Sequence, residues 1–273
     1  MFSNINYFQV FIIGNCIGSF LNVVIYRFQQ NVSIVSPRSF CPKCKTKLTW
    51  KENIPLISYL FQRGKCLNCN QSISIRYPLI EFLTGILFII FTNISPSFYI
   101  SNSNLFLNLF FNWLFLSLLI CITLIDIDSF WIPQGLIKFG FVSGIFRLIL
   151  ISVFDNRYID FFLIFKALST SLIAFFICEF LRSLAKYIFK KDAIGRGDSK
   201  LVAMLALYLG PLGVVFAVGI SYTIAAIFCL VGLSANLFRY GQVIPFAPFL
   251  SLGGLIVWLI GNQFILEQIF RIY

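Results

Sequence analysis

Histidine is absent from all 273 residues, and charge is scarce: Asp, Glu, Lys and Arg together make 11% of the chain, with only ten acids among them. Without histidine there is no Ser-His or Cys-His nucleophilic pair and no His-ligated catalytic zinc. The shortage of charge excludes a water-soluble globule, which carries about a quarter charged residues on its wetted surface. Hydrophobic residues fill the gap at 59%, with 34 Phe and a mean hydropathy of +0.90. They gather in runs at 7–26, 79–91, 105–125, 135–154, 161–181, 212–235 and 246–265. Most of these approach or exceed the roughly 20 residues a helix needs to cross a bilayer core. The expected fold is therefore all-α, a polytopic transmembrane helical bundle of about eight spans. The first run does not read as a signal peptide, since no basic stretch precedes it and no small-residue cleavage site follows.

A net charge of +11 could suggest nucleic acid as a partner, but the distribution argues against it. Nine of the 21 Lys/Arg lie between Arg27 and Arg76, six more between Arg182 and Lys200, and Arg239 occupies a third gap. The intervening loops, 92–104 and 155–160, hold one Arg between them. Such asymmetry sets topology by the positive-inside rule. Membrane lipid, not nucleic acid, is the implied surroundings, and the basic segments face the cytoplasm with the N-terminus outside. From Lys200 the apolar run reaches Phe238, too long for one span. Gly210-Pro211 is the natural break, giving a short span near 199–209 and a returning one.

Three parts follow: a first span at 1–26, a cytoplasmic loop at 27–77, and a multi-span domain at 78–273. The loop carries Cys41-Pro-Lys-Cys44, then 21 residues, then Cys66-Leu-Asn-Cys69. Two CxxC pairs at that separation suit a closed tetrahedral zinc site that serves folding. Disulfides would be the alternative, and a reducing cytoplasm disfavours them. Cys16, Cys121, Cys178 and Cys229 stand singly in apolar runs and read as small hydrophobes.

The ten acids can be taken one by one. Asp155, Asp160 and Glu267 read as interfacial charges, and Glu52 and Asp192 as solvated partners of nearby bases. Glu81 and Glu179 lie in or beside spans, where an ionisable group is costly. Glu81 divides evenly between function and snorkelling; Glu179 reads as snorkelling. Two sites remain: the Asp126-Ile-Asp128 pair at the end of the third span, and Asp198 in Gly195-Arg-Gly197-Asp198. The topology delivers both to one membrane face. A carboxylate pair sharing a proton can activate water with one member and polarise a carbonyl with the other. The competing reading of Asp198 is an ion pair with Lys200. Two rival classes also remain: a transporter or scaffold with acids as ion ligands, which would place them at midplane, and a presenilin-like intramembrane protease, which leaves the cysteine loop unexplained.

Several motifs resemble the type IV prepilin peptidase family over most of the chain. They are the stretch from Gly14 through Gly18-Ser-Phe-Leu-Asn22 to Arg27, the loop from Ser39 to Gly85 with its four cysteines and Tyr77-Pro-Leu-Ile-Glu81, the GxGD element with Lys200-Leu201, and Ile244-Pro-Phe-Ala-Pro-Phe249. The resemblance implies Asp126 and Asp198 as the catalytic aspartates, because Asp126 and not Asp128 has the family's spacing from Pro133. It further implies an inner-membrane enzyme that removes the leader of type IV prepilin or pseudopilin precursors. The same enzyme would then methylate the new N-terminus with S-adenosylmethionine, whose binding residues the motifs leave unknown. Gln134 departs from the family's aspartate after Ile132-Pro133, and Ala247 from its glycine.

Overall fold

Residues 6–30, 32–93, 105–156, 159–190, 195–239 and 242–261 are described by a computed structural model. Side chains of Leu105, Asp155, Asn156 and Phe189 are not described; Asp192, Glu267 and the loop 94–104 lie outside the described residues. Helices dominate, in the order α1 (Tyr7–Gln29), α2 (Ile57–Phe61), α3 (Arg76–Asn93), α4 (Leu105–Ser129), α5 (Gln134–Asn156), α6 (Phe161–Phe189), α7 (Arg196–Ser234) and α8 (Ala247–Ile260). Among the described residues, β structure is limited to isolated bridges, Phe40 with Lys47 and Lys65 with Ser72. Six helices (α1 and α3 to α7) are long and apolar enough to cross a membrane, and α8 is a shorter apolar helix. The chain is a multi-pass membrane protein.

Two compact units emerge, Met1–Ile94 and Ser95–Tyr273. In the first, α1 and α3 pack face to face. Small residues permit the close approach: a Cβ on Gly14 would stand 2.7 Å from the Gly85 Cα, and one on Gly18 2.8 Å from the Glu81 Cα. Close backbone contact of this kind supplies van der Waals attraction where lipid offers no hydrophobic drive. The Asn22 amide donates to the Tyr77 carbonyl at 3.1 Å, pinning the start of α3 to α1.

The second unit is organised around the first half of α7. From Leu201 to Leu209 every side chain is at most 5% exposed, as expected of a helix that is apolar all round. Its Tyr208 stacks on Phe115 of α4, with ring centroids 4.5 Å apart, and meets Trp258 of α8 edge-on. From α5, Ser143 hydrogen-bonds the Tyr208 hydroxyl at 2.7 Å, and Arg147 lies 4.9 Å over the Trp258 ring. The expected break is present. Gly210 has φ 74, outside the helical region, with Pro211 following, so α7 is two helical segments joined at a kink. Only glycine adopts that φ without a Cβ penalty. α6 is the reverse case: Phe162, Phe165, Phe176 and Phe180 all point outward, a lipid-facing surface.

Gly18→Val should test the α1–α3 contact. Added methyls would force the helices apart at Glu81 and Thr84, at about 1–3 kcal/mol. A lower melting temperature in detergent is expected for Gly18→Val, with no change for Gly219→Ala, whose Cβ would meet open space.

Candidate functional site

Asp126 and Asp198 both belong to the second unit and arise from helix ends. Asp126 sits three residues before the end of α4 and is 5% exposed, whereas Asp128, one turn-step further, is exposed. A buried carboxylate needs donors. It receives the Ala247 backbone N–H on Oδ2 at 3.1 Å, so the first residue of α8 is tied to the last turn of α4. Phe130 then reverses the chain with φ 52, and Ile132 and Pro133 are buried as the chain turns into α5.

Asp198 is the third residue of α7 and half-buried. Its Oδ2 accepts the Gly195 N–H at 3.2 Å, satisfying a helix N-terminal donor in the manner of a capping box. Ile132 lies against Gly197, where a Cβ would come within 3.0 Å of its Cδ1. The turn after Asp126 therefore packs on the turn carrying Asp198, and the two carboxylates are close enough for their charges to interact. A narrow cleft opens beside Asp198, walled by Cys178 and Leu181 of α6, Tyr222 of α7, and Phe246 and Leu250. Lys200 makes no ion pair with Asp198 among the described residues. Two carboxylates on neighbouring turns are a pair that can hold and pass protons, and the chain has no imidazole.

Several of these neighbours escape a reading of motifs. Tyr222 has its ring 4.9 Å from Phe246 and lines the cleft with Asp198; its sequence signal is the hydroxyl run Ser221-Tyr222-Thr223 inside an apolar stretch. Glu179 does not simply reach for solvent: it forms an ion pair with Arg182 at 2.7 Å. Glu52 accepts from the Thr49 amide and hydroxyl at 2.8 and 2.6 Å, bonds that hold its carboxyl below the usual range. Thr49, and not a lysine, is its partner. Glu81 is buried and accepts the Leu56 N–H at 2.9 Å.

In the first unit the four loop cysteines converge, with their sulfurs all within 4.8 Å of one another, and all are free thiols. The two knuckles are built alike. Cys41 N–H donates to the Thr46 carbonyl and Cys66 N–H to that of Gln71, both at 2.9 Å; Lys45 and Asn70, each just past a second cysteine, take φ 57 and 53. Zn–S bonds of about 2.3 Å imply tetrahedral sulfurs roughly 3.8 Å apart; Cys41 and Cys69 are at 3.9 Å. Hydrogen bonds from the Thr46 hydroxyl and amide pull the Cys44 thiol down to about 6. Cys69, although the Gln71 amide donates to it, is pushed up to about 11 by burial and by the neighbouring sulfurs. A cation among the four sulfurs would offset the charge of their deprotonated forms. The cluster could hold one metal ion.

Residues 12–94 match the bacterial peptidase A24 N-terminal domain, and residues 113–230 the type IV leader peptidase family. A prepilin leader peptidase/N-methyltransferase of Myxococcus xanthus is 35% identical over 73% of this chain, which spans 55% of that relative's length. The protein of the same name from Bacillus subtilis is 32% identical over 94% of this chain and 95% of its own. A type 4 prepilin-like leader peptide-processing enzyme of Escherichia coli is 31% identical, over 89% of each chain. No solved structure matches.

The Asp126–Ala247 bond gives a direct test of burial. Asp126→Asn keeps an oxygen for the Ala247 N–H and should melt near the parent. Asp126→Leu strands that donor, at about 1–3 kcal/mol, and is expected to melt several degrees lower by a thiol-reactive dye or light-scattering assay.

Proposed function

Since this chain belongs to the type IV leader peptidase family, we propose that it cleaves the leader of type IV prepilins or type II secretion pseudopilins with Asp126 and Asp198 as its catalytic pair. The carrying observation is that one carboxylate is buried and the other half-buried within electrostatic reach, each fixed by a single backbone N–H. Each keeps a second oxygen for chemistry. In the reaction one aspartate, ionised, takes a proton from water as the water oxygen adds to the scissile carbonyl. The other, protonated, donates to the developing oxyanion. Collapse of the tetrahedral intermediate breaks the C–N bond, and the proton held by the first aspartate passes to the departing amine. The positive-inside asymmetry supports a cytoplasmic-facing site in the bacterial inner membrane.

That amine is the substrate of the second activity. S-adenosylmethionine supplies a methyl whose bond to sulfur breaks as one to the neutral amine nitrogen forms; the amine proton passes to water. Zinc is the metal for Cys41, Cys44, Cys66 and Cys69, where it would hold the two knuckles together. A four-thiolate shell offers no open position, so the ion serves folding.

Asp126→Asn and Asp198→Asn should each lower prepilin cleavage by about a thousandfold or more while the protein stays folded, whereas Asp128→Asn retains most activity; gel-based leader removal measures all three. A dead Asp128→Asn beside an active Asp126→Asn would reverse the assignment. Elemental analysis should return about one zinc per chain, lost in Cys41→Ser/Cys44→Ser; fully oxidised, metal-free thiols would contradict this site.

A further inference from the structure

Arg27 of α1 is a charge taken out of water with no counter-charge beside it. It is 3% exposed, and its guanidinium donates to neutral acceptors: the carbonyls of Ser33 at 2.9 Å and Ile34 at 2.7 Å, and that of Pro37. These bonds strap the segment 33–37 back onto the end of its own helix. Neither Arg27 nor the exposed Arg38 forms an ion pair among the described residues. The sequence explains why. From Arg27 to Arg76 there are nine bases and one acid, Glu52, and that carboxylate accepts from Thr49. Burying a cation is costly unless an anion compensates it, and this stretch offers no further carboxylate.

Both arginines line one cleft of about 370 Å³, between the second half of α1 and the loop segments 34–39 and 53–55. On α1 its wall is Cys16, Phe20, Val23 and Arg27, a single face at spacings of four, three and four. Gly14 and Gly18, on the other side of the helix, are the residues packed on α3. The lining is ordered along the helix axis. Phe20, 54% exposed, and the half-buried Val23 lie within the membrane span. Arg27 is in the last turn, and its bond to Pro37 brings Arg38 and Ser39 to that same end. Cys16 and Arg27 are separated by about 16 Å of helix rise. The cleft is thus apolar towards the membrane interior and cationic where the span ends.

We propose that this cleft binds one anionic phospholipid, with its phosphate at Arg38 and Ser39 beside the Arg27 guanidinium and an acyl chain along Phe20 and Val23. The sequence of charge and apolar surface along the cleft is that of a lipid standing in its own leaflet, and a basic pocket at the end of a span suits an anionic headgroup. A free phosphate would use the cationic end and gain nothing from the apolar face. A basic peptide would meet two arginines. The bound phosphate supplies the counter-charge that the loop lacks and holds the strap to α1.

The test titrates the full chain in detergent with phosphatidylglycerol or phosphatidylcholine and reads bound lipid by native mass spectrometry. Arg38→Gln, Val23→Trp and Lys51→Gln are compared with the parent; Lys51 is an exposed loop base outside the lining. Variants that melt with the parent before lipid is added count as folded, and Phe20→Ala replaces Val23→Trp if the larger side chain fails that criterion. The parent should hold a single phosphatidylglycerol in preference to phosphatidylcholine. Arg38→Gln should weaken it about fivefold, the effect of one basic residue near a membrane surface. Val23→Trp should weaken it as much with the charge unchanged, and Lys51→Gln should bind as the parent does. Equal losses in Arg38→Gln and Lys51→Gln would assign the lipid to the loop's general charge and overturn the site. So would phosphatidylcholine held as tightly, or a parent that binds neither lipid. Displacement of phosphatidylglycerol by millimolar inorganic phosphate would overturn the lipid in favour of a free anion.

Discussion

The hydrogen bond from the Ala247 amide to Asp126 is the contact on which the arrangement of the second unit turns. Within an apolar bundle a carboxylate without a donor is untenable, so the end of α4 cannot move away from the start of α8. Once that end is fixed, the turn through Ile132 must pass over Gly197, and the Asp198 turn is fixed in consequence. Tyr222 and Phe246, ring against ring, then close the side of the cleft. One backbone donor thus locates three helix ends.

Much of this was legible in the sequence, for reasons that are local. Span lengths follow from hydropathy, the break at Gly210-Pro211 from the two residues that cannot sustain a helix, and the cysteine knuckles from spacing alone. The choice of Asp126 over Asp128 comes from the resemblance to the family's motif and not from local physics; Asp126 is buried and Asp128 exposed. The illegible part is long-range. Glu81 meets Leu56 across 25 residues and Asp126 meets Ala247 across 121; no periodicity encodes a backbone donor so distant. The grouping of α3 with α1 and the cysteine loop is likewise invisible to hydropathy, which sees α3 only as one more apolar run. It is set by Gly14, Gly18 and Gly85, whose missing side chains carry no hydropathy signal.

The first unit shows how a small membrane-associated module obtains shape without a large core. Its helices touch through glycines, its loop is tied by paired knuckles, and its strap is drawn in by one arginine. Each device replaces apolar burial with a directional contact, as small scaffolds generally require.

The kink at Gly210 has a further consequence, for biogenesis. Residues 196–209 rise about 21 Å at 1.5 Å each, short of the roughly 30 Å hydrocarbon core. A nascent chain released only that far would hold a segment unable to bridge the bilayer by itself, with unpaired carbonyls at its inner end. Its partners are α4, α5 and α6, already made, and α8, still to come. Insertion of the Asp198 helix is therefore not an independent event at the translocon but a late act of assembly, complete only when α8 has been translated.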